Sequence, residues 1–143
     1  MFEATFPIKA KTWKRTGMDS RRAAGKWSYL PTDMKHYYQQ LYWGFVRAGL
    51  RPLGKTEEYG IEIEFHFKDR RWRDADNLLK AVTDAGQPSK YMSKKELQSA
   101  FMPDLWDDRI FADCHPKRFR GSDGDRIVVR IWSMEEDNGH QNS

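Results

Sequence analysis

The chain has 143 residues, a formal charge of +4 and a mean hydropathy of −0.90, and its lean apolar share includes eight Phe, six Trp and six Tyr. That length bounds it to one domain with an aromatic-rich core, and its single cysteine, Cys114, excludes an internal disulfide or a zinc site needing two thiolates. No apolar run reaches membrane-spanning length and Met1-Phe2-Glu3-Ala4-Thr5 lacks a signal-peptide layout, so a cytoplasmic protein with a polyanionic partner is expected from the pI near 9.2.

Phe2, Ala4, Phe6 and Ile8 alternate with Glu3, Thr5 and Pro7. This period of two predicts a short strand, and the proline places it at an edge or an end. From Lys9 to Lys26 the basic residues Lys9, Lys11, Lys14, Arg15, Arg21, Arg22 and Lys26 are opposed only by Asp19, with Trp13 among them. The segment reads as a basic loop: either a contact for a phosphate backbone or a solvated stretch that keeps the protein in solution.

Thr32-Asp33 opens a helix that ends near Gly49. Tyr37, Leu41, Phe45 and Ala48 recur at helical spacing, and Met34, Tyr38, Tyr42 and Val46 widen the apolar stripe that should pack on a sheet. After a turn at Arg51-Pro52-Leu53-Gly54, Glu57–Lys68 is the clearest strand, with Ile61, Ile63, Phe65 and Phe67 on one face and Glu62, Glu64 and His66 on the other. His66 reads as exposed and idle more readily than as a ligand.

Lys68-Asp69-Arg70-Arg71-Trp72-Arg73-Asp74-Ala75-Asp76-Asn77-Leu78-Leu79-Lys80 follows at once and carries the chemistry. Asp69, Asp74 and Asp76 crowd among cations, and a divalent metal would offset the repulsion that the neighbouring arginines and lysines balance only in part. Magnesium binds through a few carboxylates, water and phosphate oxygens, and the basic flank suits a phosphodiester. The next helix starts at Asp74 or Asp76 and stops at Ala85-Gly86, burying Leu78, Val82 and Ala85, while Asp76, Lys80 and Asp84 lie a turn apart on the opposite face. The plainer account is a cap, a dipole partner and a surface ion pair, and the two accounts are compatible.

Gln87–Asp104 has no clean period and reads as an excursion, with a short helix at Ser93–Ala100 whose Ser93 and Glu96 fit a capping box. In Leu105-Trp106-Asp107-Asp108-Arg109-Ile110-Phe111, one of Asp107 and Asp108 should face the acidic cluster and the other serve the turn. Asp113–Arg120 and Arg126–Trp132 bracket Gly121-Ser122-Asp123-Gly124-Asp125 and predict a hairpin, and Glu135–Ser143 reads as a polar tail. The expected fold is thus mixed α/β (α+β): residues 1–134 as one small domain, with a mixed or antiparallel sheet of about four strands packed by two main helices, and 135–143 as the tail.

Asp74-Ala75-Asp76-Asn77-Leu78-Leu79-Lys80, with Arg70-Arg71-Trp72-Arg73 before it and Trp106-Asp107-Asp108 after it, resembles the RusA-type Holliday-junction resolvases. An arginine-rich lead-in, D-x-D-N-L-x-K, a helix ending in Asp-Ala and a later Asp-Asp make the pattern far more specific than a lone D-x-D. The resemblance implies that Asp74, Asp76 and Asp108 bind Mg²⁺, with Mn²⁺ as an alternative, that Lys80 is required for cleavage, and that Arg73 matters. It also implies a small α/β homodimer that nicks four-way DNA junctions, of a kind many phages and prophages encode. Arg70, Arg71, Arg73, Lys11, Lys14 and Arg15 are the expected DNA contacts, and Asp69 and Asp107 are extra acids that could support the ligands. The chain departs from the family in its longer 87–104 excursion and in Lys11-Thr12-Trp13-Lys14-Arg15, where relatives carry a stretch containing Pro and Asn. The same residues also suit a nucleic-acid-binding module without catalysis, or a nuclease acting on flap or other branched DNA.

Overall fold

The structure is a computed structural model that describes residues 1–12 and 31–135. Trp13, Lys14, Arg15 and the rest of the expected basic loop from residue 13 on, together with the tail from residue 136, lie outside the described residues. Four strands, β1 (Phe2–Phe6), β2 (Tyr59–His66), β3 (Phe111–Phe119) and β4 (Arg126–Ser133), form one mixed sheet in the order β1-β4-β2-β3. The described helices are α1 (Thr32–Arg47), α2 (Ala75–Ala85) and the short α3 (Lys94–Ala100). This is the mixed α+β domain the sequence predicts. Among the described residues no helix is long and apolar enough to cross a membrane.

The expected hairpin is not formed. β4 pairs antiparallel with both β1 and β2, whereas β3 pairs in parallel with the other side of β2. Burial explains the order: Ile127, Val129 and Ile131 of β4 are buried and need neighbours on both sides, while most of β3 is exposed. Pro116 has no N–H to give a ladder, which suits an edge strand. Gly121 turns the chain at positive φ, and its N–H donates to the carbonyl of Asp69 at 2.9 Å, so the β3–β4 connection is tied to the acidic and basic 68–80 segment.

One sheet face, with Ile61, Ile63, Phe65 and the β4 apolar residues, is buried beneath the helices. α1 contributes Met34, Tyr37, Tyr38, Leu41, Tyr42 and Phe45, but Val46 and Ala48 are exposed, so the apolar stripe is narrower at its end than its spacing suggests. The other face bears Glu3, Glu62, Glu64, Lys117 and Arg130. Arg130 Nε and Nη1 donate to Glu3, Glu62 and Glu64 at 2.6, 2.7 and 2.9 Å, and Lys117 meets Glu62 at 3.0 Å. Trp132 lies flat over Gly60, where a Cβ would fall 2.2 Å from the indole.

Candidate active site along helix α2

Asp74 ends the β2–α2 connection as the N-cap of α2, accepting from the N–H of Asp76 at 2.8 Å. A carboxylate there satisfies an otherwise unpaired helix donor and complements the helix dipole. Asp74 and Asp76 share a cleft with Trp72 and with Pro116, Lys117, Arg118 and Phe119 of β3. A second cleft reaches Asp74 from the other side, walled by Lys9, Lys11, Asp33, Arg71, Arg73 and Asn77. Asp74 therefore lines two cation-bearing clefts, and Asp76 lines the first of them. Trp72 is 61% exposed, with the Arg118 guanidinium over its ring at 4.9 Å.

The arginine-rich lead-in divides into two roles. Arg73 is held inward: its guanidinium donates to Asp69 Oδ1 and Oδ2 at 2.8 and 3.0 Å and lies 3.9 Å from the centre of the Phe67 ring. The same guanidinium, the Arg71 backbone N–H and Lys9 hold the Asp69 carboxyl well below its ordinary range. Asp69 thus supports Arg73. Arg70 and Arg71 are exposed and open to an outside anion. Lys11 is in the described part and pairs with Asp33 at 3.5 Å.

Asp108 sits at the other end of α2. Leu105 N–H donates to the Gly86 carbonyl at 2.8 Å, and Trp106 Nε1 donates to the Thr83 carbonyl at 2.8 Å while its ring covers Gly86. Asp108 N–H then donates to Gln87 Oε1 at 3.2 Å, and the Asp108 carboxylate accepts from Lys90 at 2.9 Å. Asp107 caps the short turn Asp108–Ile110 and pairs with Arg109 at 2.6 Å. Asp107 serves the turn as expected, on a 3₁₀ turn rather than a strand, but Asp108 faces Lys90 at the far end of α2 and not the Asp74/Asp76 cluster, because the chain returns to the C-terminal end of the helix.

Between the two ends lies a residue whose setting differs from the sequence expectation. Asp84 falls on the same helical row as Asp76 and Lys80, yet it is 8% exposed rather than on a solvent face. The segment after α2 folds back over it, bringing Lys90 to 3.8 Å on one oxygen while Lys80 stands 3.9 Å from the other. Burial pushes the Asp84 carboxyl up, against the pull of the two lysines. The row thus runs Asp76, Lys80, Asp84, Lys90, Asp108, acids and cations alternating. The eight-residue interval from Asp76 to Asp84 spans about 12 Å of helix axis.

Asp74 and Asp76 fit the chemistry of a magnesium ion, which takes one or two hard carboxylates and completes its shell with water and phosphate. Asp108 does not join them here. Among the described residues, no three His, Cys, Asp or Glu side chains converge as a metal-holding group. No protein-family model matches this chain, and no curated protein is similar to it.

Proposed function

We propose that this protein is a Mg²⁺-dependent endonuclease that nicks branched DNA, with four-way junctions as its substrate. The observation that carries the reading is the acid pair Asp74 and Asp76 at the head of α2, both lining one cleft with Trp72, Lys117 and Arg118, with Asp74 also lining a second walled by Lys9, Lys11, Arg71 and Arg73. The resemblance of the D-x-D-N-L-x-K segment to the RusA-type resolvases supports the same reading and adds a homodimer, which would set two sites on a symmetric junction. Asp74 and Asp76 would hold the ion, which when bound lowers the pKa of a coordinated water and polarises the scissile phosphate. Lys80 would donate to charge developing on the phosphate or the leaving oxygen, a contribution on the order of 3 kcal/mol for one well-placed donor. Arg70, Arg71 and Arg118 would hold flanking phosphates, giving an affinity that falls steeply with salt.

The test is nicking of a synthetic four-way junction against matched duplex and flap DNA, with Mg²⁺ and with EDTA, using wild type and Asp76→Asn. Paired nicks on the junction that need the metal and vanish in the variant are expected. A specific observation favours a second reading, a DNA-binding module without catalysis: Asp108 is neutralised by Lys90 at the far end of α2. Tight junction binding that is sensitive to salt, indifferent to metal and never followed by cutting would establish that reading instead.

A further inference from the structure

We propose that Asp84 is a positioning residue: it orients Lys80 and, through Lys90, links it to Asp108. This deepens the nuclease reading and rests on it for the role of Lys80. The observation is a continuous chain of opposite charges from three separate elements, Lys80 to Asp84 at 3.9 Å, Asp84 to Lys90 at 3.8 Å and Lys90 to Asp108 at 2.9 Å. An aspartate buried beside Ala81, Val82 and Ala85 is costly unless its charge is answered. Here one carboxylate faces two ammonium groups that approach from different directions.

Lysine carries its charge on a four-carbon stem with many rotamers, so a lysine that acts on a developing charge gains from a fixed counter-ion that limits where the ammonium sits. Asp84 supplies one from a helix position and does not consume the three donors of the group. The turn that carries Lys90 is itself anchored. Ser89 donates to Asp104 through its N–H at 2.9 Å and its hydroxyl at 2.6 Å, and the Tyr91 hydroxyl donates to the Ala85 carbonyl at 2.8 Å. The excursion at 87–104 is therefore what carries Lys90 to its place between Asp84 and Asp108.

Two readouts test this in the full chain. The first is the acylation rate of Lys80 and Lys90 by an amine-reactive ester, followed by peptide mass spectrometry. Folded Asp84→Asn should acylate both lysines several-fold faster than wild type, and Asp84→Glu should restore most of the protection. Unchanged Lys80 reactivity in folded Asp84→Asn overturns the proposal whether or not the protein cuts DNA. The second readout is single-turnover nicking, where Asp84→Asn should be slower by about tenfold at unchanged junction affinity. In a Lys80→Met background the same change should cost nothing further, and an additional tenfold loss there overturns the assignment to Lys80. Wild type that never nicks removes the nuclease reading but leaves the acylation test to decide the coupling. If Asp84→Asn does not fold, Lys80→Met replaces it: Asp84 then answers Lys90 alone, Lys90 acylation should slow, and an unchanged rate overturns the proposal.

Discussion

Among the described residues two networks of alternating charge stand out, one on the open sheet face and one along α2, and they are built differently. On the sheet, Arg130 reaches Glu3, Glu62 and Glu64 at 2.6 to 2.9 Å, and the partners are fixed by strand register. On α2 the links to Asp84 are 3.8 and 3.9 Å long, and their acid is the buried member. Short contacts between half-exposed groups close on themselves and serve the fold. Longer contacts around a buried acid, at the end of a row that starts beside two open clefts, fit groups arranged to meet something outside the chain.

The comparison breaks most visibly in activity. Asp76→Asn should lower Mg²⁺-dependent nicking by roughly a hundredfold or more while the melting temperature stays near that of wild type. Arg130→Met should leave the nicking rate unchanged. If both variants nick at the wild-type rate, the α2 row is as structural as the sheet network and the contrast disappears.

Stability should respond the other way round. Gly60→Ala would drive a methyl into the Trp132 ring, 2.2 Å away, and should cost about 1–3 kcal/mol in denaturant unfolding. The same change in a Trp132→Ala background should cost much less, which separates the ring contact from a general intolerance of the strand. Arg130→Met should lower the melting temperature by less than Gly60→Ala, and the loss should shrink at high salt because the network is open to solvent. A loss that is independent of salt would mean that the packing of the arginine stem matters more than its charge.

The sequence makes the head of the site legible because everything needed there is local. Asp74 is a cap, Leu78, Val82 and Ala85 follow the helical period, and Ser93 with Glu96 forms the capping box as expected. Strand order is not local. A short Gly- and Asp-containing link reads as a hairpin, but β2 competes for the β4 edge and wins through buried apolar contact, leaving the proline-bearing β3 outside. The warning was in the composition: Ile127, Val128 and Val129 are three apolar residues in a row, whereas Asp113, His115, Lys117 and Arg118 leave β3 largely polar. Asp84 failed to stand out for the same reason, since its burial is made by residues that return to it from the 87–104 segment. Its place at four-residue spacing after Asp76 and Lys80 was the available signal.

The smallest expected effect is also the sharpest on the difference between the networks, because the two carry opposite pH dependence. Hydrogen bonds led by Lys117 hold the Glu62 carboxyl below its ordinary value of 4.5, and hydrogen bonds led by His66 do the same for Glu64. Carboxyls lowered in the folded state contribute stability that is present above pH 4.5 and lost as pH falls through their folded values. Asp84 is raised from 3.8 by burial, so its contribution has the reverse sign: it is most favourable when the group is protonated and declines as pH rises through that range. The slope expected in wild type is therefore a partial cancellation. Asp84→Asn should make stability climb more steeply between about pH 3 and pH 6 in urea unfolding, and Arg130→Met should make it climb less steeply. An Asp84→Asn protein with the wild-type slope would mean that the buried carboxylate is no worse solvated in the fold than in the open chain, and the α2 row would then be a surface ion-pair series like the one on the sheet.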